Sequence, residues 1–279
     1  KINIKVKQVE KVSIFGKQYE VIDAEPALTT SSNKTSDASG LYKSTATNTG
    51  NPTYYFRGNV TNNYVSFAGQ TWRIVRLNED GTIRIIMQDG INSNTNYAFN
   101  SNYNNYTYMY YTNSEAKTTL ESWYQTNIGS KSNLAKNVAS GSYYCEQAKV
   151  KGNDSYTSGN ANMTLYSSYT PDFKCSSDGN GKGVVNASVG LLSYDEVVYA
   201  GGYCGQNNNN YYLYNNTYFW TMSPAGFTGP YSSVWGVHAT GYIDFYSAKG
   251  TCRLRPVLIL NADTLVTGTG TSTDPFIIT

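Results

Sequence analysis

Charged residues are scarce in this 279-residue chain: Asp, Glu, Lys and Arg make up 14% of it, and the formal net charge is +2. No run of basic residues occurs. Nucleic acids and anionic membrane surfaces are bound through clustered Lys and Arg, so we expect neither as a partner. No apolar run approaches the roughly 20 residues that a transmembrane helix needs. We therefore expect no membrane insertion by this segment.

Residues that support metal binding or acid-base chemistry are also few. The chain has one histidine, His238, and four cysteines, Cys145, Cys175, Cys204 and Cys252. The cysteines lack the short CxxC spacing that metal sites favour, and one histidine leaves little general-base capacity near neutral pH. No nucleophile elbow, P-loop, dinucleotide fingerprint or zinc-protease motif is present. These absences argue against an enzyme and against a bound cofactor.

The four cysteines are most simply interpreted as two disulfides, for which three connectivities are open. We favour Cys145 with Cys175, which closes a loop rich in Gly, Ser and Asn, and Cys204 with Cys252. Disulfides persist in oxidising compartments, so this interpretation predicts an extracellular, surface-displayed protein. The alternative is a cytosolic protein with buried thiols.

Tyrosine is abundant, with 27 residues, and the polar remainder is dominated by Asn, Ser and Thr. Tracts such as 92–105 and 206–216 resemble low-complexity sequence, but an aromatic content of 14% argues against disorder. A tyrosine ring can pack while its hydroxyl stays hydrated. Antibody paratopes use the same Tyr, Ser, Gly and Asn composition, which favours a binding function.

Three regions differ in composition. Residues 1–26 predict an N-terminal strand and hairpin arm, or the end of a stalk, because Ile2, Ile4 and Val6 alternate with polar residues and a hairpin pattern surrounds Gly16. Residues 27–50 are rich in Ser, Thr and Asn and predict a linker or extended arm. Residues 51–279 predict the globular domain. The N-terminus lacks the apolar core of a secretion signal, so we expect a mature or excised segment.

Several elements of that domain are predicted by pattern. Residues 64–77 and 82–87 form a hairpin signature with Asp80–Gly81 at the turn. A helix is predicted after Ser114, with Ala116, Leu120, Trp123 and Tyr124 on its buried stripe. A second helix is predicted from a capping box at Ser193 to Gly201.

The segment 218–246 predicts strands that alternate between two faces. One face holds Trp235, Val237, Ala239, Gly241 and Ile243 and is the expected core face. The other holds Val234, Gly236, His238, Thr240 and Tyr242.

Four motifs carry a resemblance. The chain contains Tyr-Tyr-Phe-Arg-Gly at 54–58, Val-Ser-Phe-Ala-Gly-Gln-Thr-Trp-Arg-Ile at 65–74 and Arg-Pro-Val-Leu-Ile-Leu at 255–260, with Phe-Trp-Thr-Met-Ser-Pro-Ala-Gly at 219–226. Together they resemble a bacterial surface and pilin-associated family with a C-type-lectin-like domain. The resemblance implies an α+β fold of mostly antiparallel strands, two helices and long Tyr/Asn-rich loops.

The resemblance also implies a function. In related variable ligand-binding proteins, a C-terminal aromatic and Asn-rich surface contacts the target. Trp220 and Trp235 are expected to pack, whereas the candidate ligand contacts here are Tyr211, Tyr212, Tyr214, Tyr218, Tyr231, His238, Tyr242 and Tyr246. The implied function is a non-enzymatic adhesion or recognition domain on a bacterial surface or pilus-like fibre, whose partner is a protein or glycan on a host or neighbouring cell. An alternative is a filament subunit that self-assembles through its N-terminal strand.

The sequence does not match a calcium or a copper site. Asp172 and the segment 178–183 supply oxygen ligands but lack the later Glu of an EF-hand loop, and no Glu-Pro-Asn or Gln-Pro-Asp sugar-binding tripeptide occurs. A glycine-rich turn is the better interpretation, so we expect no metal. Oxidases of the formylglycine-generating type share the fold and bind copper through a cysteine pair. Cys204 and Cys252 are the candidates, but their surroundings do not match that site.

Overall fold

A computed structural model describes residues 8–26, 28, 37–146, 160–161, 171–175, 183–204, 206–228 and 230–279. Its strands, in chain order, are β1 (Lys11–Ile14), β2 (Lys17–Glu20), β3 (Gly40–Ser44), β4 (Thr53–Arg57), β5 (Tyr64–Phe67), β6 (Gln70–Leu77), β7 (Ile83–Met87), β8 (Asn96–Ala98), β9 (Tyr143–Cys145), β10 (Asn160–Ala161), β11 (Val184–Asn186), β12 (Tyr203–Cys204), β13 (Phe219–Thr228), β14 (Tyr231–Val237), β15 (Tyr242–Ser247), β16 (Thr251–Arg253), β17 (Val257–Leu260), β18 (Val266–Thr267) and β19 (Phe276–Ile278).

The helices are α1 (Ile91–Asn94), α2 (Glu115–Tyr124), α3 (Ser132–Ala135) and α4 (Tyr194–Ala200), with short 3-10 segments at Tyr106–Met109 and Tyr111–Asn113 and a π-helical segment at Gln125–Gly129. The two longer helices, α2 and α4, are the two that the sequence predicts. Ser114 caps α2 by accepting a hydrogen bond from Lys117 N, and Ser193 and Glu196 form the predicted capping box of α4. The predicted stripe of α2 is buried, and burial of one large apolar side chain contributes about 1.5–3 kcal/mol.

Two mixed sheets form the body among the described residues. In the first, the order is β17-β7-β6-β5-β19-β18, and β3 and β4 continue from β6. In the second, the order is β12-β15-β14-β13-β16-β8, with β10 on β13. The strands β1 and β2 form one separate hairpin, and β9 pairs with β11. Most pairs are antiparallel, so the structure confirms an α+β class in which strands predominate.

Helix α4 lies between the two sheets, against β4 of the first and β13 of the second. All seven of its residues are buried. Tyr194 at its start packs on Trp235 of the second sheet, with ring centroids 4.8 Å apart. At its end, the guanidinium of Arg57 donates to the carbonyl oxygens of Val198 and Tyr199, at 2.8 and 3.0 Å. A cation at a helix C-terminus satisfies carbonyls that have no partner within the helix.

The motif arginines are buried supports of the fold. Arg57 also forms an ion pair with Asp37 at 2.7 Å. Arg73 donates to Asn63 Oδ1 and to the Val60 carbonyl, and Arg255 donates to the carbonyls of Met87 and Leu213. Burial lowers the pKa of Arg255 to about 10. Because these arginines bind the chain's own backbone, their role in the structure is to support the fold.

The N-terminal hairpin packs on the body of the protein. Its predicted turn is confirmed at Phe15–Gly16, and Ile14, Tyr19 and Val21 are buried in the main core. The Tyr19 hydroxyl donates to the Asn62 carbonyl at 2.6 Å. The predicted strand at residues 2–6 lies outside the described residues.

Residues 40–44 of the predicted linker form a strand of the first sheet. Strand β3 pairs along its length with β4, from Gly40 opposite Arg57 to Ser44 opposite Thr53. A boundary near residue 50 would therefore cut a β-hairpin. Composition suggested a linker because Ser, Thr and Asn are frequent in 27–50, but Leu41 and Tyr42 are buried and join the cores.

The alternation predicted over 234–246 is interrupted by a hairpin turn. Strand β14 ends at Val237 and β15 begins at Tyr242, and the amide of Gly241 donates to the His238 carbonyl at 2.8 Å. Gly241 has φ of 86°, in the region that favours glycine. Ala239, Thr240 and Gly241 are thus turn residues and not strand residues, while Trp235, Val237 and Ile243 are buried as expected.

Candidate functional site

A row of aromatic side chains crosses the second sheet where β13, β14 and β15 meet the turn. Phe219 pairs with Val237 in the register, which places Tyr218 opposite His238, and the His238 amide donates to the Tyr242 carbonyl. The Tyr218 and His238 rings meet edge-on at 4.5 Å, and His238 stacks on Tyr242 at 4.4 Å with an interplanar angle of 16°. Tyr218 is 39% exposed, and the other two are half-buried. We call Tyr218, His238 and Tyr242 the aromatic row.

Hydrogen bonds orient the histidine within this row. Thr240 N, which can only donate, lies 3.1 Å from His238 Nδ1. Nδ1 also lies 2.9 Å from the Thr240 hydroxyl oxygen, so both the amide and the hydroxyl of Thr240 hold this side of the ring. On the other side, Nε2 lies 2.6 Å from the Tyr218 hydroxyl oxygen and shares a hydrogen bond with it. The Thr240 hydroxyl donates onward to Asn207 Oδ1 at 2.6 Å.

Tyr246 and Asp244 lie behind the aromatic row on the same face, because residues 242, 244 and 246 alternate along β15. Tyr246 leans over Gly236, where an added Cβ would meet its ring at 3.1 Å. Its centroid is 5.9 Å from that of Tyr218. Burial and the Asp244 carboxylate raise the pKa of Tyr246 and, more weakly, the pKa of Tyr242. The Tyr246 hydroxyl is buried without a hydrogen-bond partner in the described structure.

Tyr211 and Tyr212 are not on this surface, and their prediction as exposed contacts is wrong. They are 2% and 3% exposed. The Tyr211 hydroxyl donates to the Gly241 carbonyl at 2.8 Å, so it supports the turn from inside. Tyr212 packs beside Arg73, whose guanidinium carbon lies 5.4 Å from the centroid of the Tyr212 ring. Alternation along a Tyr/Asn tract could not show which tyrosines face inward, because both kinds are tyrosine.

The Asn-rich tract 206–216, which contains Tyr211 and Tyr212, packs against the turn that carries His238. The Asn208 amide donates to the Thr240 carbonyl at 3.1 Å, and Asn208 Nδ2 donates to the Gly201 carbonyl at 2.7 Å. A Cβ on Gly241 would lie 1.8 Å from Asn208 O. Tyr214 is half-buried, and its ring lies against the same glycine. Residues 206–216 therefore resemble low-complexity sequence but pack specifically against the turn.

Tyr231 lies at the other end of β14, seven residues from His238 and so about 23 Å away along the strand. It is 50% exposed and stacks on Tyr103 at 5.4 Å, while Lys249 Nζ lies 4.3 Å from the Tyr103 centroid. It is not part of the aromatic row. The sequence analysis did not select Tyr103, Lys249 or Asp244, because no local sequence pattern links these residues to the side chains near them.

The two tryptophans pack as expected. Trp220 and Trp235 are 1% and 2% exposed. Trp220 donates to the Tyr97 carbonyl at 2.8 Å, and its ring meets Phe99. Both tryptophans therefore belong to the core and not to the aromatic row.

One of the two predicted disulfides is confirmed. Cys145 and Cys175 are bonded, with Cα atoms 5.6 Å apart. Cys204 and Cys252 are not bonded to each other, and that prediction is wrong. Cys204 is on β12 and Cys252 is on β16, with β15, β14 and β13 between them. Four strand spacings separate them by about 19 Å, well beyond the roughly 7 Å limit between Cα atoms of a disulfide.

The same separation removes the copper-binding cysteine pair that an oxidase of the formylglycine-generating type would need. Burial raises the pKa of Cys204 to about 11, with a smaller effect of Asp244, and the pKa of Cys252 to about 12. Both are therefore protonated thiols near neutral pH, in which form they are poor nucleophiles and poor ligands.

Within the described ranges, no three His, Cys, Asp or Glu side chains are grouped to hold a metal ion. Asp172 there accepts a hydrogen bond from the Lys174 amide at 2.9 Å, and the glycine-rich segment 178–182 lies outside those ranges. None of the helices that the structure describes has the length and apolarity to cross a bilayer.

Comparison of the chain with protein-family models, curated proteins and solved structures gives no significant match. What the chain binds must therefore be argued from its own surface.

Proposed function

We propose that this chain is an extracellular, non-enzymatic recognition domain with a C-type-lectin-like fold, displayed on a bacterial surface or pilus-like fibre, and that it binds its target through the aromatic row. The main support for this proposal is that the aromatic row is preoriented. The His238 ring is held by hydrogen bonds with Thr240 and Tyr218 and stacks on Tyr242, yet each of the three rings remains partly open to solvent. Preorganised aromatic side chains bind at a low entropic cost.

The location of the protein outside the cytoplasm is supported by the Cys145–Cys175 disulfide. The partner class follows from the chemistry of the surface. The Tyr218 hydroxyl offers a hydrogen-bonding group, the Asp244 carboxylate accepts hydrogen bonds, and the ring faces and edges offer stacking. A protein side chain or a glycan on a host or neighbouring cell suits this combination.

The proposal is tested with a double substitution, Tyr218→Ala with Tyr242→Ala, on protein and glycan arrays and on host cells. We expect binding to fall at least tenfold, because two aromatic anchors at an interface commonly contribute more than 1 kcal/mol each. The melting temperature should change little, since both rings are partly exposed. Tyr231→Ala is the matched control, because Tyr231 is an exposed stacked tyrosine in the same sheet and distant from the row.

Full binding by the double variant would reject the aromatic row as the contact surface. Failure of the unmodified protein to bind any array feature or cell would reject recognition as the function. Substitution of Tyr211 or Tyr212 is unsuitable as a test, because both are core residues whose loss would lower stability.

A second candidate function, a self-assembling filament subunit, is favoured by strand β1. It pairs with β2 and with no other strand among those the structure describes, so one edge presents open backbone groups. Such edges accept a strand from another chain.

Ser13→Pro tests this candidate. Ser13 lies opposite Gln18, next to the closely bonded Ile14–Lys17 pair, so its N–H points away from β2. Proline there removes an outward donor and keeps the hairpin. If the filament proposal holds, fibres visible by electron microscopy should be lost in Ser13→Pro and kept in Ser13→Thr. Fibres formed equally by both variants would exclude assembly through this edge.

A further inference from the structure

The ligand class of the aromatic row can be argued from charge. Asp244 lies on β15 between Tyr242 and Tyr246 and opposite Gly236, which has no side chain to cover it. Its carboxylate is half-buried, and its Oδ1 accepts from the Phe245 amide at 2.8 Å. No described Lys or Arg forms an ion pair with it. The nearest candidates along the chain are engaged elsewhere: Lys249 lies over Tyr103, and the Arg253 side chain lies against Gly90.

The aromatic row contains no lysine or arginine. His238 faces Thr240 through Nδ1 and the Tyr218 hydroxyl through Nε2. The ring faces of Tyr218, Tyr242 and Tyr246 are negative ends of aromatic quadrupoles. Burial is the largest cause of the raised pKa of Tyr242 and of Tyr246, and the Asp244 carboxylate is the next largest. The carboxylate therefore acts on both of these rings. One carboxylate and three tyrosines therefore form a patch of negative potential on the sheet.

We infer that the aromatic row and Asp244 bind an alkylammonium group, the chemistry shared by a choline headgroup and a lysine side chain. An anion would be repelled by Asp244 and would find no cation there. A neutral sugar would gain hydrogen bonds but would leave the carboxylate without a counter-charge. A cation gains from both the carboxylate and the rings, through charge pairing and cation–π attraction. This inference rests on the proposed recognition function and names its ligand.

The test compares choline with its neutral isostere, 3,3-dimethylbutan-1-ol, on the full chain by NMR titration at low salt. The two probes have nearly the same shape and differ in charge. We expect choline to bind at least tenfold more tightly, with shifts at Tyr218, His238 and Tyr242. Equal binding of the two probes, or no binding of choline, would overturn the inference.

A parallel titration with butylammonium distinguishes the two sources of an alkylammonium group. Preference for choline indicates a quaternary headgroup, and equal or tighter binding of butylammonium indicates a lysine side chain. Preference for choline and preference for butylammonium both support binding of an alkylammonium group.

Asp244→Asn supplies the charge control. Its Oδ1 can still accept from the Phe245 amide, so the fold should be retained. We expect about tenfold weaker choline binding. Asp263→Asn makes the same change in net charge at an exposed turn residue and should bind choline as the unmodified protein does. Equal affinities in both variants would overturn the role of Asp244.

The outcomes also separate this inference from the function on which it rests. If array or cell binding depends on Tyr218 and Tyr242 while choline and butylammonium do not bind, the inference fails and the recognition function stands. If the cations bind in an Asp244-dependent way but no cell or array feature is bound, the site is real and the adhesion function fails.

Discussion

Glu196→Gln is expected to destabilise the protein by about 3–5 kcal/mol, the usual cost of removing one partner from a buried ion pair. Glu196 Oε1 lies 3.2 Å from both Arg76 Nε and Arg84 Nη1, and all three side chains are at most 6% exposed. Oε2 accepts from the Ser193 amide in the capping box. Glutamine keeps the shape but leaves two buried guanidinium groups without a counter-charge.

The change is measured as the free energy of unfolding from urea denaturation. Glu121→Gln is the matched control, because it breaks a partly exposed pair with Lys117 on α2 and should cost less than 1 kcal/mol. A loss below 1 kcal/mol in Glu196→Gln would mean that the buried arginines are neutralised by other groups.

The pH dependence of this pair has a definite sign. Burial raises the pKa of Glu196, but Arg84, Arg76 and the Ser193 amide outweigh it and hold the pKa below its ordinary value. The unfolded chain then takes up the proton at higher pH than the folded protein does. The contribution of Glu196 to stability is therefore complete above its unfolded pKa, near 4.3, and is lost as the pH falls through the lower folded pKa. Glu196→Gln should lack this part of the acid dependence.

Loss of the Cys145–Cys175 disulfide is expected to destabilise the protein by about 3–4 kcal/mol, the loop-closure entropy for a separation of this size. The separation is 30 residues. The bond joins β9 to a segment that is also held by Asn48, whose Oδ1 accepts from the Cys175 amide at 2.9 Å and whose Nδ2 donates to its carbonyl at 3.2 Å. The double variant Cys145→Ser with Cys175→Ser removes the covalent link and keeps the side-chain size.

Alkylation and mass analysis check the pairing first. Denatured protein without reductant should take up two iodoacetamide groups, at Cys204 and Cys252, and four after reduction. Uptake of four groups without reductant, or of none, would contradict the pairing. Cys204→Ser is the control for stability, because it removes a thiol but no cross-link.

Local features of the fold were predictable from the sequence. The helix after Ser114 and the helix from Ser193 follow from their caps and from apolar spacing, which act within one or two turns. The hairpins around Gly16 and Gly81 follow from turn chemistry, since both glycines adopt positive φ. Interactions of this kind depend on neighbours in the chain and are therefore visible in the sequence.

The candidate site was predictable in part. Tyr218, His238, Tyr242 and Tyr246 were selected as contacts, and the structure places them on one face. Tyr211 and Tyr212 were selected by the same composition and are buried, while Asp244 was missed. Tyrosine suits both core and surface because its ring packs and its hydroxyl can bond to either backbone or solvent. Residue type alone cannot separate the two roles.

The sequence by itself determined the class of the protein: a Tyr- and Asn-rich α+β chain with capped helices, tight hairpins and a local disulfide. Tertiary structure decided what depends on contacts between distant segments. It separated Cys204 from Cys252 by three strands, joined residues 40–44 to the sheet, and placed the 206–216 tract under the turn that presents the aromatic row. It also left Asp244 without a described counter-ion beside three rings. Strand order sets these contacts, and strand order is encoded by the whole chain rather than by any local pattern.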